Sequence, residues 1–409
     1  MRFHVLGLGS IGSLLSHHLR RTIPPTNSIT LIHRTQSQAR DALSNGGSIR
    51  VEYNGLVTTA NGFYSEGFEV PKSSRHISRQ AKPREKNKEY ESDISEPIES
   101  LFVTTKAHQT VPAIRRLLPR LSNQTTIVLM QNGMGVYEEL VHNIFRNPQN
   151  RPHFILASNT HGAFRKGTYD IVHAGLGSIE FGIVPDPAER DFEAGFVDET
   201  VPKLERTPRI VDIASSTDDP SFEKYRSLRS TIAALLLLEP LNASWKPIAE
   251  IQTILRRKLV VNAIINPLTA LMGCRNGDIL NTAASHRLMQ RICQEASDVY
   301  AAQVKAGSQT WLDSLTSQGM STENVAIGRL PRALTRPMLE EEVLRVAKAT
   351  KGNISSMLAD IQHGRTTEID FINGYLLKLG STYHIEMPAT ATLLNLVKMR
   401  GAIPLDQML

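Results

Sequence analysis

Lys258, Asn262 and Asn266 stand four residues apart in the segment Arg257–Ala270, where only these three and Thr269 are polar after the opening arginine. On a helix, at about 100° per residue, successive members of such a set drift by only ~40° and rise by roughly 6 Å. The three therefore form one polar stripe along an otherwise apolar helix. A solvated outer face is the ordinary reading for Lys and Asn. Such a face, however, usually carries Glu, Gln and Arg rather than Asn, a poor helix former. A lysine inside the stripe is costly to bury without a partner. Amides beside it can hold a carboxylate and hydroxyls. The stripe reads as a binding site for a small oxygen-rich molecule.

The second chemically informative pattern is Gly7-Leu8-Gly9-Ser10-Ile11-Gly12. It follows an expected strand, Met1 to Leu6, and precedes an expected helix, Ser13 to Arg21, and a second strand, Ser28 to His33. A G-x-G-x-x-G match becomes specific in that βαβ setting. Gly7 permits the tight turn, Gly9 lets the backbone approach a pyrophosphate, and Gly12 lets helix pack on strand. The helix N-terminus, with Ser10 and Ile11 in its first turn, offers N–H groups to the phosphates. After the second strand an NAD-selective site places Asp or Glu against the ribose hydroxyls. This chain has His33-Arg34-Thr35-Gln36-Ser37-Gln38 and no acid before Asp41. Arg34 can instead pair with a 2′-phosphate, with hydroxyls from Thr35 and Ser37, so NADP(H) is the expected cofactor.

The elements that position these residues divide the chain in two. A Rossmann-like α/β domain is expected over 1–248 and an all-α domain over 249–409. In the first, Leu101 to Thr105 reads as a strand ending at Lys106, with a helix from His108 to Leu118. Thr126 to Met130 reads as another strand, ending in Gln131-Asn132-Gly133-Met134-Gly135. Ligands of open parallel sheets bind beyond the carboxyl ends of strands, which places Lys106 and Asn132 near the cofactor. Phe154 to Asn159, Tyr169 to Ala174 and Ser178 to Ile183 read as strands that complete the sheet or add an antiparallel edge. Beyond Ala249 the pattern is helical: Glu250 to Leu271, His286 to Lys305, Met338 to Ala349, Ile354 to Gln362 with Asn353 as its cap, Glu368 to Thr382, and Ala389 to Met399. Glu368 and Asp370 lie in a first helical turn, where the dipole favours acids on structural grounds alone.

Composition excludes several classes. The 409 residues are 41% hydrophobic, enough for real cores, and the longest apolar stretch, Ile232 to Leu238, is too short to cross a bilayer. The chain enters its first strand at once, leaving no room for a signal peptide, and its two cysteines have no metal or redox spacing, so a cytoplasmic location is expected. Thirteen histidines show no ligand spacing with carboxylates, so no metal is expected. The net charge of +6 suits anionic small ligands. It also raises nucleic acid, but the basic run has an acidic counterpart: seven Lys/Arg and one Glu from Lys72 to Lys88, then five acids and no base from Glu89 to Glu99. The segment 71–99 therefore reads as a disordered insertion rather than a nucleic-acid arm, and 185–220 as a second polar insertion.

Taken together, Gly7–Gly12, Lys106, Asn132-Gly133-Met134-Gly135, Arg257-Lys258-Leu259 with Asn262 and Asn266-Pro267-Leu268-Thr269-Ala270, Asn353-Ile354-Ser355-Ser356-Met357 and Thr367-Glu368-Ile369-Asp370-Phe371-Ile372-Asn373-Gly374 resemble the ketopantoate reductase (2-dehydropantoate 2-reductase) family. The resemblance runs from Met1 to about Arg400. It implies a Rossmann-like domain followed by a helical domain with the site in the cleft between. The implied reaction is reduction of 2-dehydropantoate to (R)-pantoate by NADPH, on the route to pantothenate and coenzyme A. By the same resemblance Lys258 is the general acid and Glu368 the second catalytic carboxylate. Asn132 lies near nicotinamide and substrate; Asn262, Asn266 and Ser356 bind substrate; Lys106 and Arg34 serve the cofactor, Arg34 at the 2′-phosphate. The residue types suit the chemistry: hydride arriving at a ketone leaves an alkoxide that a lysine ammonium can protonate. Burial moves that lysine's pKa down towards working pH. The stretch from Gly307 to Arg336 is longer than the family pattern and bears on substrate choice. Open alternatives are a reductase of another branched 2-oxo acid and a catalytically silent member acting as a binding protein; a homodimer is also open.

Overall fold

The computed structural model describes residues 1–44, 46–68, 96–186, 190–202, 206–214, 217–322 and 328–403. They divide into two compact units, Met1–Gln131 with Tyr137–Ile251, and Asn132–Val136 with Gln252–Leu409.

The first unit is α/β. Its strands are β1 (Arg2–Leu6), β2 (Ser28–His33), β3 (Ile49–Tyr53), β4 (Leu56–Ala60), β5 (Tyr64–Gly67), β6 (Ser100–Val103), β7 (Thr126–Leu129), β8 (His153–Asn159), β9 (Gly162–Gly167), β10 (Asp170–Gly175), β11 (Ile179–Ile183) and β12 (Ala243–Trp245). Its helices are α1 (Ser10–Thr22), α2 (Gln36–Ser44), α3 (Ala107–Leu117), α4 (Val136–Asn143), the four-residue α5 (Ala194–Val197) and α6 (Ile210–Ile213), and α7 (Arg226–Leu236). Eight strands form one sheet in the order β12-β11-β8-β7-β6-β1-β2-β5, parallel throughout except where β11 runs against β8. The chain leaves β1 for β2 on one side and returns to β6 on the other. That reversal opens a crevice beyond the carboxyl ends of β1, β2 and β6.

A second sheet, β4-β3-β10-β9, lies against α1. It was not foreseen as a separate layer, and β9 and β10 belong to it rather than to the main sheet. A signal for its first hairpin is present in Asn54-Gly55, both with positive φ (49° and 79°), the pair that a two-residue hairpin turn demands. Four histidines, His17 and His18 of α1 with His161 and His173, lie at this junction. The His17 ring bonds the Ile49 carbonyl and the Thr58 hydroxyl, at 2.9 and 3.0 Å, and His161 Nδ1 lies 3.0 Å from His173 Nε2.

The two expected insertions fare differently. Residues 71–95 lie outside the described residues, but 96–99 are described and already ordered into the sheet's approach: Ile98 is buried, and its N–H bonds the Arg120 carbonyl at 2.9 Å. Within 185–220, residues 187–189, 203–205 and 215–216 are not described. The rest carries α5 and α6 and buries Phe192 and Ile213 in the same core as Tyr225 and Leu228. A few apolar residues suffice to dock a largely polar run.

The second unit is helical: α8 (Ile248–Met272, its first turn counted with the first unit), α9 (Ala283–Ser317), α10 (Arg336–Ala349), α11 (Ser356–Gln362), α12 (Ile369–Tyr383) and α13 (Pro388–Ala402). The helices enclose Val260, Ile264, Ile292, Val299, Tyr300 and Leu376. Buried Glu295 of α9 accepts the N–H groups of Ala389 and Thr390 and the Thr390 hydroxyl, at 2.8 to 3.0 Å, capping α13 with a charge its dipole favours. No helix among the described residues is long and apolar enough to cross a membrane.

The histidines make the first unit acid-labile. Burial lowers His4 and His18 to about 3 and His33 to about 4, with the Arg120 and Arg2 cations adding to the effect at His4, and the neighbouring rings of His17, His173 and His161 with Arg21 adding to it at His18. Unfolding returns each ring towards its ordinary value of 6.5, so the unfolded chain binds more protons between that pH and the folded value. Stability is then full above pH ~6.5 and lost as pH falls towards 4, by about 1.4 kcal/mol per pH unit for each such ring. Urea midpoints measured between pH 7 and 4.5 should fall accordingly, and His18→Leu should flatten the slope by about one ring's share.

Candidate active site

The glycine turn owes its shape to close packing. Gly7 has φ +100°, and a Cβ there would lie 2.4 Å from the Thr105 N atom. At Gly12 a Cβ would lie 2.1 Å from the Gly7 carbonyl oxygen, whereas at Gly9 nothing lies within 4 Å. Gly9 is thus the open position, where a ligand's backbone approach costs nothing. Thr104 pins the turn, its hydroxyl donating to the Gly7 carbonyl at 2.5 Å. Ser10, Ile11 and Gly12 form the first turn of α1, where N–H groups have no intrahelical acceptor.

A cavity of about 820 Å³ opens here. Gly7, Leu8 and Gly9 form one wall, Ile32, His33 and Arg34 another, and Thr104, Thr105 and Lys106 a third. The size suits a dinucleotide-class ligand, and at Gly9 a side chain would project into open space that the glycine leaves to a ligand. Arg34 and Lys106 both line the cavity. The Thr35 hydroxyl accepts the Gln38 N–H at 3.2 Å and so caps α2, which leaves its O–H as a donor. Several lining residues were not foreseen: Phe68, Arg116, and Arg165 and Tyr169 of the second sheet. Asp41, the first acid after β2, also lines the cavity, one turn into α2.

Asn132 is not on that wall. It belongs with the helical unit, as part of Asn132–Val136. Gly133 and Gly135 explain the grouping: both have positive φ, the Met134 N–H bonds the Phe371 carbonyl at 2.9 Å, and a Cβ on Gly133 would lie 2.5 Å from that oxygen.

In the second unit, α8 carries the expected stripe. Lys258 and Asn262 are half-buried and Asn266 is buried. Pro267 lies inside α8 and has no N–H to give the Ala263 carbonyl four residues earlier. Asn373 of α12, fully buried, supplies the missing donor: its Nδ2 reaches the Ala263 oxygen at 3.0 Å. α12 is thereby fixed against α8, with buried Glu368 at its N-cap. The Glu368 carboxylate acts on Lys258 electrostatically. Burial drives the lysine down and the carboxylate holds it up, leaving it at about 8 against an ordinary 10.5. The stripe is not a solvated face.

The cap of α11 differs from expectation. Ser355, not Asn353, is the N-cap: its buried hydroxyl accepts the Leu358 N–H at 3.1 Å and the Thr269 hydroxyl at 2.7 Å. Asn353 is exposed and gives its carbonyl to the Asn276 N–H instead. Ser356, the expected substrate ligand, is exposed at the first position of α11. The structure brings together Lys258 and Glu368 in one unit, and Gly7, Gly9, Arg34 and Lys106 in the other.

Two changes test this geometry. Asn373→Ala should cost about 1–3 kcal/mol by orphaning the Ala263 carbonyl. In a Pro267→Ala background position 267 regains an N–H, so the same change should cost less, a coupling that a double-mutant denaturation cycle measures directly. Glu368→Gln should lower the Lys258 pKa below about 8, since the carboxylate's effect is to raise it. The pH dependence of Lys258 labelling by an amine-directed reagent reads that shift.

Comparison with known proteins follows the same division. Residues 3–186 match the family model described as ketopantoate reductase PanE/ApbA, and residues 250–401 match ketopantoate reductase PanE/ApbA C terminal. The chain is 27% identical to a probable 2-dehydropantoate 2-reductase of Schizosaccharomyces pombe, over 97% of this chain and 95% of that protein. It is 30% identical to a 2-dehydropantoate 2-reductase of Yersinia pestis, over 74% of each. In fold it is similar to D-mandelate dehydrogenase solved with NADH and anilino(oxo)acetate, with a TM-score of 0.65, 16% identity and 98% of both chains covered.

Proposed function

The chain belongs to the ketopantoate reductase family, and on that footing we propose that it reduces 2-dehydropantoate to (R)-pantoate, in pantothenate and coenzyme A biosynthesis, with Lys258 as general acid. It is a dinucleotide-dependent oxidoreductase, and the reading of its cofactor as NADPH rests on Arg34 beyond β2. The observation that carries the mechanism is the state of Lys258: a half-buried ammonium held at about 8, with Glu368 beside it.

When bound, the reduced dinucleotide supplies the hydride that converts the C2 ketone to an alkoxide. Lys258 Nζ gives its proton to that oxygen as charge develops, and its positive charge stabilises the oxygen before transfer. A pKa near 8 suits this role, because an ordinary lysine would be too weak an acid and a fully depressed one would be unprotonated. Glu368 keeps the ammonium charged and oriented. Asn262 and Asn266 bind carboxylate and hydroxyl as neutral amides, adding no charge that would shift Lys258. Ser356 and Asn132 contribute further polar contacts to the substrate. In the first unit Gly7, Gly9 and Gly12 admit the pyrophosphate to the first turn of α1, where Ser10 and Ile11 present N–H groups. Lys106 would hold the same phosphates, and Arg34 would hold the 2′-phosphate.

The test is an NADPH-oxidation assay with 2-dehydropantoate beside a panel of other branched 2-oxo acids. Preference for another acid by kcat/KM would reassign the substrate while keeping the reaction type. Lys258→Ala should lower kcat by about 10²–10⁴-fold with NADPH affinity retained. The general acid works protonated, so wild-type kcat should be level below about pH 8 and fall as pH rises above it. Full turnover in Lys258→Ala would remove this residue from the chemistry.

A further inference from the structure

Beyond Arg34, the dinucleotide cavity is lined by a cationic side chain from the second sheet. Arg165 lies on β9, and Thr168 and Tyr169 form the turn into β10; all three face the cavity that Gly9 and Arg34 line. The hairpin tip is held by several independent contacts. Tyr169 has φ +59°, a left-handed conformation that a bulky residue adopts only where its surroundings impose it. Its carbonyl accepts the Arg50 N–H of β3 at 2.8 Å. Its hydroxyl lies 3.0 Å from His33 Nδ1, and the two rings meet edge to face at 6.0 Å. His33 is the last residue of β2, immediately before Arg34. Burial keeps that imidazole neutral.

Neighbouring side chains separate by strand alternation. Lys166 turns to Glu52 at 3.0 Å, and Arg50 pairs with Asp170 at 3.3 Å, whereas neither Arg165 nor Arg34 forms an ion pair among the described residues. Arg165 and Asp41 both act electrostatically on the Tyr169 hydroxyl, which sets the three close together. Four cations line the cavity (Arg34, Lys106, Arg116, Arg165) against one carboxylate, Asp41. Two exposed guanidinium groups, without an ion pair among the described residues, flank the end of β2, where a ribose phosphate of a dinucleotide would lie.

We propose that the β9–β10 hairpin completes the cofactor site, Arg165 serving with Arg34 as a second ligand for a phosphate monoester on the adenosine ribose, and Tyr169 tying the hairpin to the end of β2 through His33. This rests on the NADPH reading. A phosphate dianion accommodates two guanidinium groups, each bidentate, while a ribose hydroxyl offers neither the charge nor the geometry. The second sheet would thus set cofactor choice, and Asp41 would be the group that favours the unphosphorylated dinucleotide if the cations were removed.

Dissociation constants for NADPH and NADH, read by fluorescence on the full-length protein, decide this. Arg165→Ala should weaken NADPH by about tenfold and NADH by less than twofold, and Arg165→Lys should recover only part of the loss. Tyr169→Phe should lower the NADPH/NADH preference by a smaller factor with the melting temperature nearly kept. Arg34→Ala is the reference. A wild-type protein without preference for NADPH overturns the cofactor reading and this inference with it. A preference that Arg34→Ala abolishes but Arg165→Ala leaves intact overturns the hairpin assignment alone. Equal loss of both dinucleotides in Arg165→Ala also overturns it, and a Tyr169→Phe protein that melts lower with an unchanged ratio reduces Tyr169 to a structural role.

Discussion

The carbonyl of Ala263 is the point on which the helical unit turns. A proline inside α8 removes the hydrogen bond that carbonyl would normally accept, and a buried carbonyl without a donor is expensive. The amide of Asn373 answers it from α12. One polar contact in an apolar interior fixes the register of two helices far more sharply than Ile and Leu packing alone, because sliding by a turn would leave both partners unsatisfied. Lys258 lies five residues before Ala263 on α8, and Glu368 lies five residues before Asn373 on α12. A contact made between backbone and amide therefore governs how a carboxylate meets an ammonium.

That arrangement matters because the lysine's charge is balanced between two opposing effects. Burial favours loss of the ammonium proton and the Glu368 carboxylate opposes it, which leaves the lysine at about 8. The amides of Asn262 and Asn266 can add hydrogen bonds without disturbing that balance. The dinucleotide unit uses electrostatics in a different manner. There the charges stay exposed, on guanidinium groups at a rim, while the interior of the turn is made of glycines that leave room for a ligand. On the proposed function, one site tunes a proton and the other recognises an anion.

Much of this was legible in the sequence where a local rule leaves few choices. The glycine turn, β1, β2 and the Lys258 stripe follow from periodicity and from the steric uniqueness of glycine. What escaped was non-local. Arg165 is an ordinary strand residue until β9 is seen to leave the main sheet and pack against α1, which depends on pairings between residues more than 100 positions apart. Asp41 follows β2 only after a turn of α2, and that helical turn brings it back to the cavity. Asn353 looked like a cap by residue type, yet Ser355 had a partner in Thr269 that no local pattern reveals. The Asn54-Gly55 turn was readable and simply passed over.

The small segment Asn132–Val136 has a consequence for the order in which the protein can be built. It is folded with the helical unit, through the bond from Met134 to Phe371, yet these two residues are separated by 371 − 134 = 237 positions. At roughly 5–20 residues per second of synthesis, on the order of 10 to 50 s pass between the appearance of one and of the other. During that interval Gly133 and Gly135 have no carbonyl or ring to rest on. A nascent chain truncated anywhere before α12 holds this stretch as an unfinished edge, and the helical unit closes upon it only when nearly the whole chain has left the ribosome.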